Sequence, residues 1–240
     1  MNFKKTLTAI LLVVFMGQSW AQDTSGFFAK ADTFFHTYVK NGRVTYNKIK
    51  ENPSELNELV ELAKTINISK TDAATYQAFW INGYNISVIK GIVEHYPLKS
   101  PLDVSGFFDK TKHNIGGKEI ALNDIENKLL RANFPKEARF HFVLVCAGLG
   151  CPPIINNAYL PNTLDAQLQQ QTELALNDPN FVRIKGKKVN LSQIFEWYKG
   201  DFTQDGKSLL DFVNLYRKEK LDSKSKVGYY PYDWTLNEIK

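Results

Sequence analysis

Cysteine is almost missing from this chain: Cys146 and Cys151 are the only two in 240 residues. That excludes a multi-bridge disulfide framework. The pair lies five positions apart, so a bridge between them would close a very small loop. It would add about 2 kcal/mol by loop-closure entropy. A lone C-x4-C with no second pair is not a structural zinc pattern, and His36, His95 and His113 show no ligand spacing. The sequence therefore calls for no metal and no cofactor. The charge excess is also small, a net +5. Lys185, Lys187 and Lys188 cluster at one expected hairpin, and Lys218, Lys220, Lys224 and Lys226 dot the C-terminal region. Both read as solvated faces, because a nucleic-acid surface needs a denser basic stripe. Beyond the first 21 residues no apolar run approaches the roughly 20 residues of a membrane-spanning helix.

The first 21 residues have the form of an export signal. Lys4 and Lys5 form a charged start, Leu7–Met16 an apolar core too short to span a bilayer, and Ser19-Trp20-Ala21 a small-residue cleavage site. Cleavage after Ala21 leaves residues 22–240 as an exported chain, periplasmic or secreted, with no membrane span. Losing Lys4 and Lys5 lowers its charge from +5 to +3. No internal repeat, low-complexity tract or linker interrupts that length, which suits one large domain or two small ones and can bury a substantial core.

Hydrophobic periodicity predicts helices over 25–40, from Pro53 to Ile66, and from the Ser69-Lys70-Thr71-Asp72 capping box to just before Pro97. His113–Ile115 and Glu119–Ala121 flank Gly116-Gly117, a two-residue hairpin signal. A helix capped by Asn123 follows, with Glu126 closing its capping box. The run 140–146 is short and rich in Phe and Val, which predicts a buried strand. Helices are expected over 164–176, 191–198 and 207–218, a hairpin around Gly186, and an aromatic C-terminus, Tyr229–Trp234, packed back on the body. The sum is a helix-rich α+β single domain with a small, mainly antiparallel sheet.

Chemistry concentrates at Arg139–Ile154, where the apolar run meets a glycine-rich loop holding both cysteines. Cys151 precedes Pro152, a residue suited to a first helical turn. A helix starting there would lower the thiol pKa and offer N–H groups to an oxyanion. Gly148 and Gly150 would let a ligand approach the backbone. Alternatively, the two thiols pair, or Cys151 is buried and inert. His141 is the nearest imidazole in sequence, and is either a base or a satisfied core residue. Asn82 and Asn85 share one helix face, where they orient an imidazole, serve an oxyanion or satisfy buried backbone. Gly83, in mid-helix, points to close packing. Trp80, Tyr84, Trp197 and Tyr198 could line a ligand surface.

The motifs together resemble the domain of unknown function family numbered 547. The pieces are Ala78–Asn85, Leu122–Glu126, His141–Ala147 with Gly150–Pro153, Ile194–Tyr198 with Asp201-Phe202, and Tyr232–Trp234. The family pattern carries histidine directly after the motif glutamate, where this chain has Asn127. The resemblance implies one domain and assigns no activity. The order of helix, small sheet and glycine loop loosely resembles papain-like and transglutaminase-like hydrolases. The expectation is a thiol-dependent hydrolase or acyltransferase for peptide or amide bonds. Cys151 would be its nucleophile and His141 its base, with Asn82, Asn85 and Glu126 in support. The other expectation is a non-catalytic module that binds a small molecule or peptide, with Cys146 and Cys151 bracing a loop.

Overall fold

The computed structural model describes residues 24–239; the expected export signal, 1–21, lies outside them. The first helix α1 (Thr24–Tyr38) buries Phe27, Phe28, Ala31, Phe34, Phe35 and Tyr38, the set its periodicity predicts. A short ladder β1 (Val39–Lys40) and β2 (Arg43–Val44) leads to α2 (Tyr46–Glu51) and α3 (Ser54–Thr65).

The central element is α4 (Ala73–His95), buried on nearly every side from Tyr76 to Val93. A helix apolar all round belongs in a core. Its cap is Asp72 rather than Ser69: the Thr75 N–H donates to the Asp72 carboxylate at 3.1 Å. Ser69 instead accepts from the N–H of Thr71. Gly83 lets the hairpin in, since a Cβ there would sit 2.3 Å from Ile115 Cδ1.

That hairpin, β3 (Lys112–Ile115) with β4 (Lys118–Ala121), pairs Ile115 with Lys118. Gly116 and Gly117 have φ of 62° and 68°, the left-handed values that such a turn needs and that glycine adopts freely. β4 runs straight into a helical turn, α5 (Leu122–Asp124), and then into a π-helix over Ile125–Arg131. The expected Asn123 cap is not made. Ala121 holds the cap position, and the Asn123 backbone N–H is taken by the Phe108 carbonyl. Glu126 closes no capping box and lies buried on the wider turn.

The expected strand at 140–146 does not form. Ala138–Phe142 is a turn of 3-10 helix, followed by irregular chain through Cys146 with no ladder partner. Residues 140–145 are all buried, so two alternating faces never exist. Asn85 stands in for a neighbouring strand: its amide donates to the Val143 carbonyl at 3.0 Å and accepts from the Val145 N–H at 2.9 Å.

α6 (Leu164–Asn177) precedes β5 (Val182–Lys185) and β6 (Lys188–Ser192), an antiparallel pair around Gly186. The helix expected over 191–198 is cut to α7 (Ile194–Trp197), because β6 claims the chain through Ser192. α8 (Lys199–Phe202) and α9 (Leu209–Tyr216) follow. The last strand, β7 (Lys226–Tyr230), lies parallel to β6, pairing Val227 with Val189. The fold is thus α+β and about half helical, with its strands in three small sheets of two, two and three strands. Pairing is antiparallel except at β6–β7, where a long return brings in a strand that no turn signal could announce.

Candidate functional site

One cavity of about 310 Å3 gathers most of the chemically capable groups. Cys146, Cys151, Glu126 and His141 face it, with a wall of Tyr84, Phe108, Trp197, Tyr198, Tyr232 and Trp234. Each arrives from a different element. The π-helix supplies Glu126, the 3-10 turn His141, the glycine loop the sulfurs, α7 and its exit Trp197 and Tyr198, and the C-terminal return Tyr232 and Trp234. A π-helical turn is uncommon and frequently marks a functional position.

The loop carrying the cysteines is shaped by the C-terminal segment. The Gly150 N–H donates to the Asp233 carbonyl at 2.7 Å, Leu149 N–H to Thr235, and Asn237 N–H to Ala147. Ala147 takes a left-handed φ of 64°. A Cβ on Gly150 would lie 2.8 Å from Asp233 N and 2.9 Å from the Tyr232 ring. Gly148 and Gly150 therefore admit the protein's own C-terminus, not a ligand. No helix begins at Pro152 either: residues 152–155 are irregular, so no helix end acts on Cys151.

The two sulfurs are free thiols 2.7 Å apart. The Tyr232 hydroxyl lies 2.8 Å from each. It has one proton and donates to one sulfur at a time. The Cys146 N–H donates to Cys151 Sγ at 3.0 Å. Burial opposes ionisation of both thiols. At Cys146 the hydrogen bonds from Cys151, Tyr232 and the Gly148 N–H outweigh it and lower the pKa. At Cys151, burial and then the neighbouring Cys146 push the pKa well up. Ionisation of the pair is thus concentrated on Cys146, the half-buried partner, rather than on Cys151, which is 9% exposed. Burial, reinforced by the two sulfurs, holds the Tyr232 phenol in its protonated form.

At the other side of the cavity, His141 is 5% exposed and Glu126 7%. His141 Nε2 sits 2.7 Å from Asp201 Oδ2. A carboxylate only accepts, so Nε2 carries the proton and Nδ1 is the nitrogen left to exchange one. Nδ1 faces Glu126 Oε1 at 3.9 Å. Asp201 is gripped by Arg131 through Nε at 2.6 Å and Nη2 at 2.9 Å. Burial disfavours the Asp201 carboxylate, but the bonds from His141 and Arg131 prevail and hold it well below the usual range. The imidazole stacks on Tyr198 with centroids 4.1 Å apart. The Tyr198 hydroxyl is hydrogen-bonded to Glu126, and burial, reinforced by that carboxylate, raises its pKa. Among the described residues, no hydrogen bond joins either sulfur to the imidazole.

The structure brings Cys151, Cys146, His141, Glu126, Tyr84, Trp197 and Tyr198 together. Asn82, Asn85 and Trp80 stay apart from them in the core. Asn82 donates to the carbonyls of Ala78 at 2.9 Å and Tyr159 at 2.7 Å, and accepts from Tyr159 N–H at 3.0 Å. Asn85 is equally committed to residues 143 and 145. Neither amide has a free end for a substrate. Trp80 is 2% exposed and packs on Tyr76 and Phe79. The residues that sequence reasoning did not single out for the site are Asp201, Arg131 and Tyr232. Asp201 and Tyr232 stood inside motifs already quoted, but nothing in their spacing tied them to His141 or to the cysteines.

Among the described residues, no group of three or more His, Cys, Asp or Glu side chains is placed to hold a metal ion. None of their helices is long and apolar enough to cross a membrane. No curated protein and no solved structure matches the chain. The C-terminal motifs Ile194–Tyr198 and Tyr232–Trp234 lie beyond the segment that a family model matches. That segment, residues 68–174, contains the central helix, Glu126, His141 and both cysteines; it matches the family Protein of unknown function, DUF547.

Proposed function

We propose that this chain is an exported thiol-dependent acyltransferase or hydrolase acting on peptide or amide bonds. The observation that carries the reading is the shared cavity: a thiol inclined to ionise, a buried carboxylate and an imidazole fixed by a second carboxylate all face one space of about 310 Å3. Cys146 is the nucleophile in this reading, and Cys151 its neighbour and proton partner, which exchanges the roles that sequence order suggests. Cys146 Sγ adds to the carbonyl carbon, and the developing oxyanion takes the Tyr232 O–H as donor. The amine leaves as its C–N bond breaks, taking a proton shared between Glu126 and His141 Nδ1. Water or an acceptor amine then attacks the thioester, returns a proton to the same pair and releases the thiolate. Asp201 holds the Nε2 proton throughout and so fixes the tautomer.

The test is a chromogenic acyl donor such as p-nitrophenyl acetate, followed by intact mass and peptide mapping. The reading expects an acyl adduct on Cys146, lost in C146S. It expects turnover to fall about a hundredfold or more in H141N and E126Q, the usual range for losing a positioned acid–base group. Adduct of equal yield in C146S, or turnover untouched by both acid–base variants, would overturn it.

The second reading, a non-catalytic module for a small molecule or peptide, draws on the wall itself. Trp197 is 47% exposed and stacks with Trp234 at 6.1 Å, as in many ligand surfaces. It expects ligand quenching of tryptophan fluorescence with no covalent adduct.

A further inference from the structure

We infer that Cys146 and Cys151 form a thiol–disulfide exchange pair that reacts with small disulfides entering the cavity, a second activity independent of acyl transfer. Four observations support it. The sulfurs lie 2.7 Å apart, and a disulfide bond is about 2.05 Å long, so closure needs about 0.7 Å of movement. Both sulfurs face the same open cavity. The loop between them is turned by the left-handed Ala147 and pinned by the C-terminal segment, so it holds the pair at that separation. Tyr232 spans both sulfurs at 2.8 Å, within reach of either proton.

The two cysteines are not equivalent. Cys146 is half-buried and Cys151 buried, so an incoming disulfide meets Cys146 first. Cys146 releases its proton to water and, as the thiolate, attacks one sulfur of the disulfide RSSR; that S–S bond breaks, leaving a mixed disulfide and one thiolate RS⁻. Cys151 then gives its proton to that thiolate and attacks Cys146 Sγ, forming the Cys146–Cys151 bond and releasing the second RS⁻, which takes a proton from water. The protein dithiol loses two electrons and two protons; RSSR gains them as two RSH. The cavity of about 310 Å3 suits a low-molecular-weight disulfide, whose sulfurs can reach Cys146. While the bond is closed no thiolate is available, so oxidation also silences any acyl chemistry at Cys146.

Glutathione disulfide serves as the probe, with the intact full chain read by thiol titration and mass spectrometry. We expect wild type to lose both thiols and two hydrogens without dimerising, and to regain them with reduced glutathione. C151S should stop at a mixed disulfide on Cys146, and C146S should react at least tenfold more slowly. In Y232F the step should slow, because the hydroxyl that favours the Cys146 thiolate is lost. Two free thiols persisting in wild type, covalent dimers as the main product, or equal rates for C146S and C151S would each overturn the inference. None of these readouts uses an acyl donor, so they stand whether or not acyl transfer is found.

Discussion

Asn85→Leu tests how the cysteine-bearing segment is held. In the native protein the Asn85 amide bonds both Val143 O and Val145 N, at 3.0 and 2.9 Å, and the residue is 1% exposed. Leucine fills similar space but leaves a carbonyl and an N–H buried without partners. Each such group costs about 1–3 kcal/mol. Added apolar burial returns about 1–2 kcal/mol. The net loss is then about 1–4 kcal/mol, a large share of the roughly 5–15 kcal/mol that a domain has. Thermal unfolding followed by circular dichroism should show a fall of about 2–16 °C, at roughly 2–4 °C per kcal/mol for a chain of this length. Asn156→Leu, at an exposed position, is the control and should stay within about 0.5 kcal/mol. Alkylation of Cys146 should change rate in N85L, because Val145 precedes it directly. A loss below about 0.5 kcal/mol, no larger than the control, would refute the claim that this side chain replaces a strand partner.

Three further outcomes are expected. Asp201 has a depressed carboxyl pKa in the folded state, so its stabilisation is complete above the unfolded value near 3.9 and is lost as pH falls below it. Unfolding free energies from urea titrations at pH 5 and pH 3 should therefore differ by about 1 kcal/mol more in wild type than in D201N; an equal difference in both would remove Asp201 from the ion network. Gly150→Ala should push the 232–234 segment away, since Asp233 backbone cannot yield as a side-chain tip would. It should cost about 1–3 kcal/mol and slow alkylation of Cys146, and unchanged stability would show that the loop has slack. The proposed export is tested by expression in a bacterial host, where chain recovered outside the cytoplasm should begin at Gln22; an intact Met1 on that material would refute the cleavage site.

Local sequence signals determined much of this protein. The helical stripe of α1, the turn at Gly116-Gly117 and the tight packing at Gly83 follow from spacing and from the conformational freedom of glycine, and they appear where those rules put them. That His141, Cys146 and Cys151 would lie near one another was also legible, because they stand within eleven residues of chain, and all three line one cavity. Tertiary structure decided the rest. An apolar run such as 140–146 has no period when every side is buried, so only the position of Asn85 showed what satisfies its backbone. Glu126 read as a cap because capping is local, yet the π-turn sends it into the cavity. Asp201 and Tyr232 lie 60 and 81 residues from the groups they touch, and no period or motif links positions that only a folded chain brings within 3 Å.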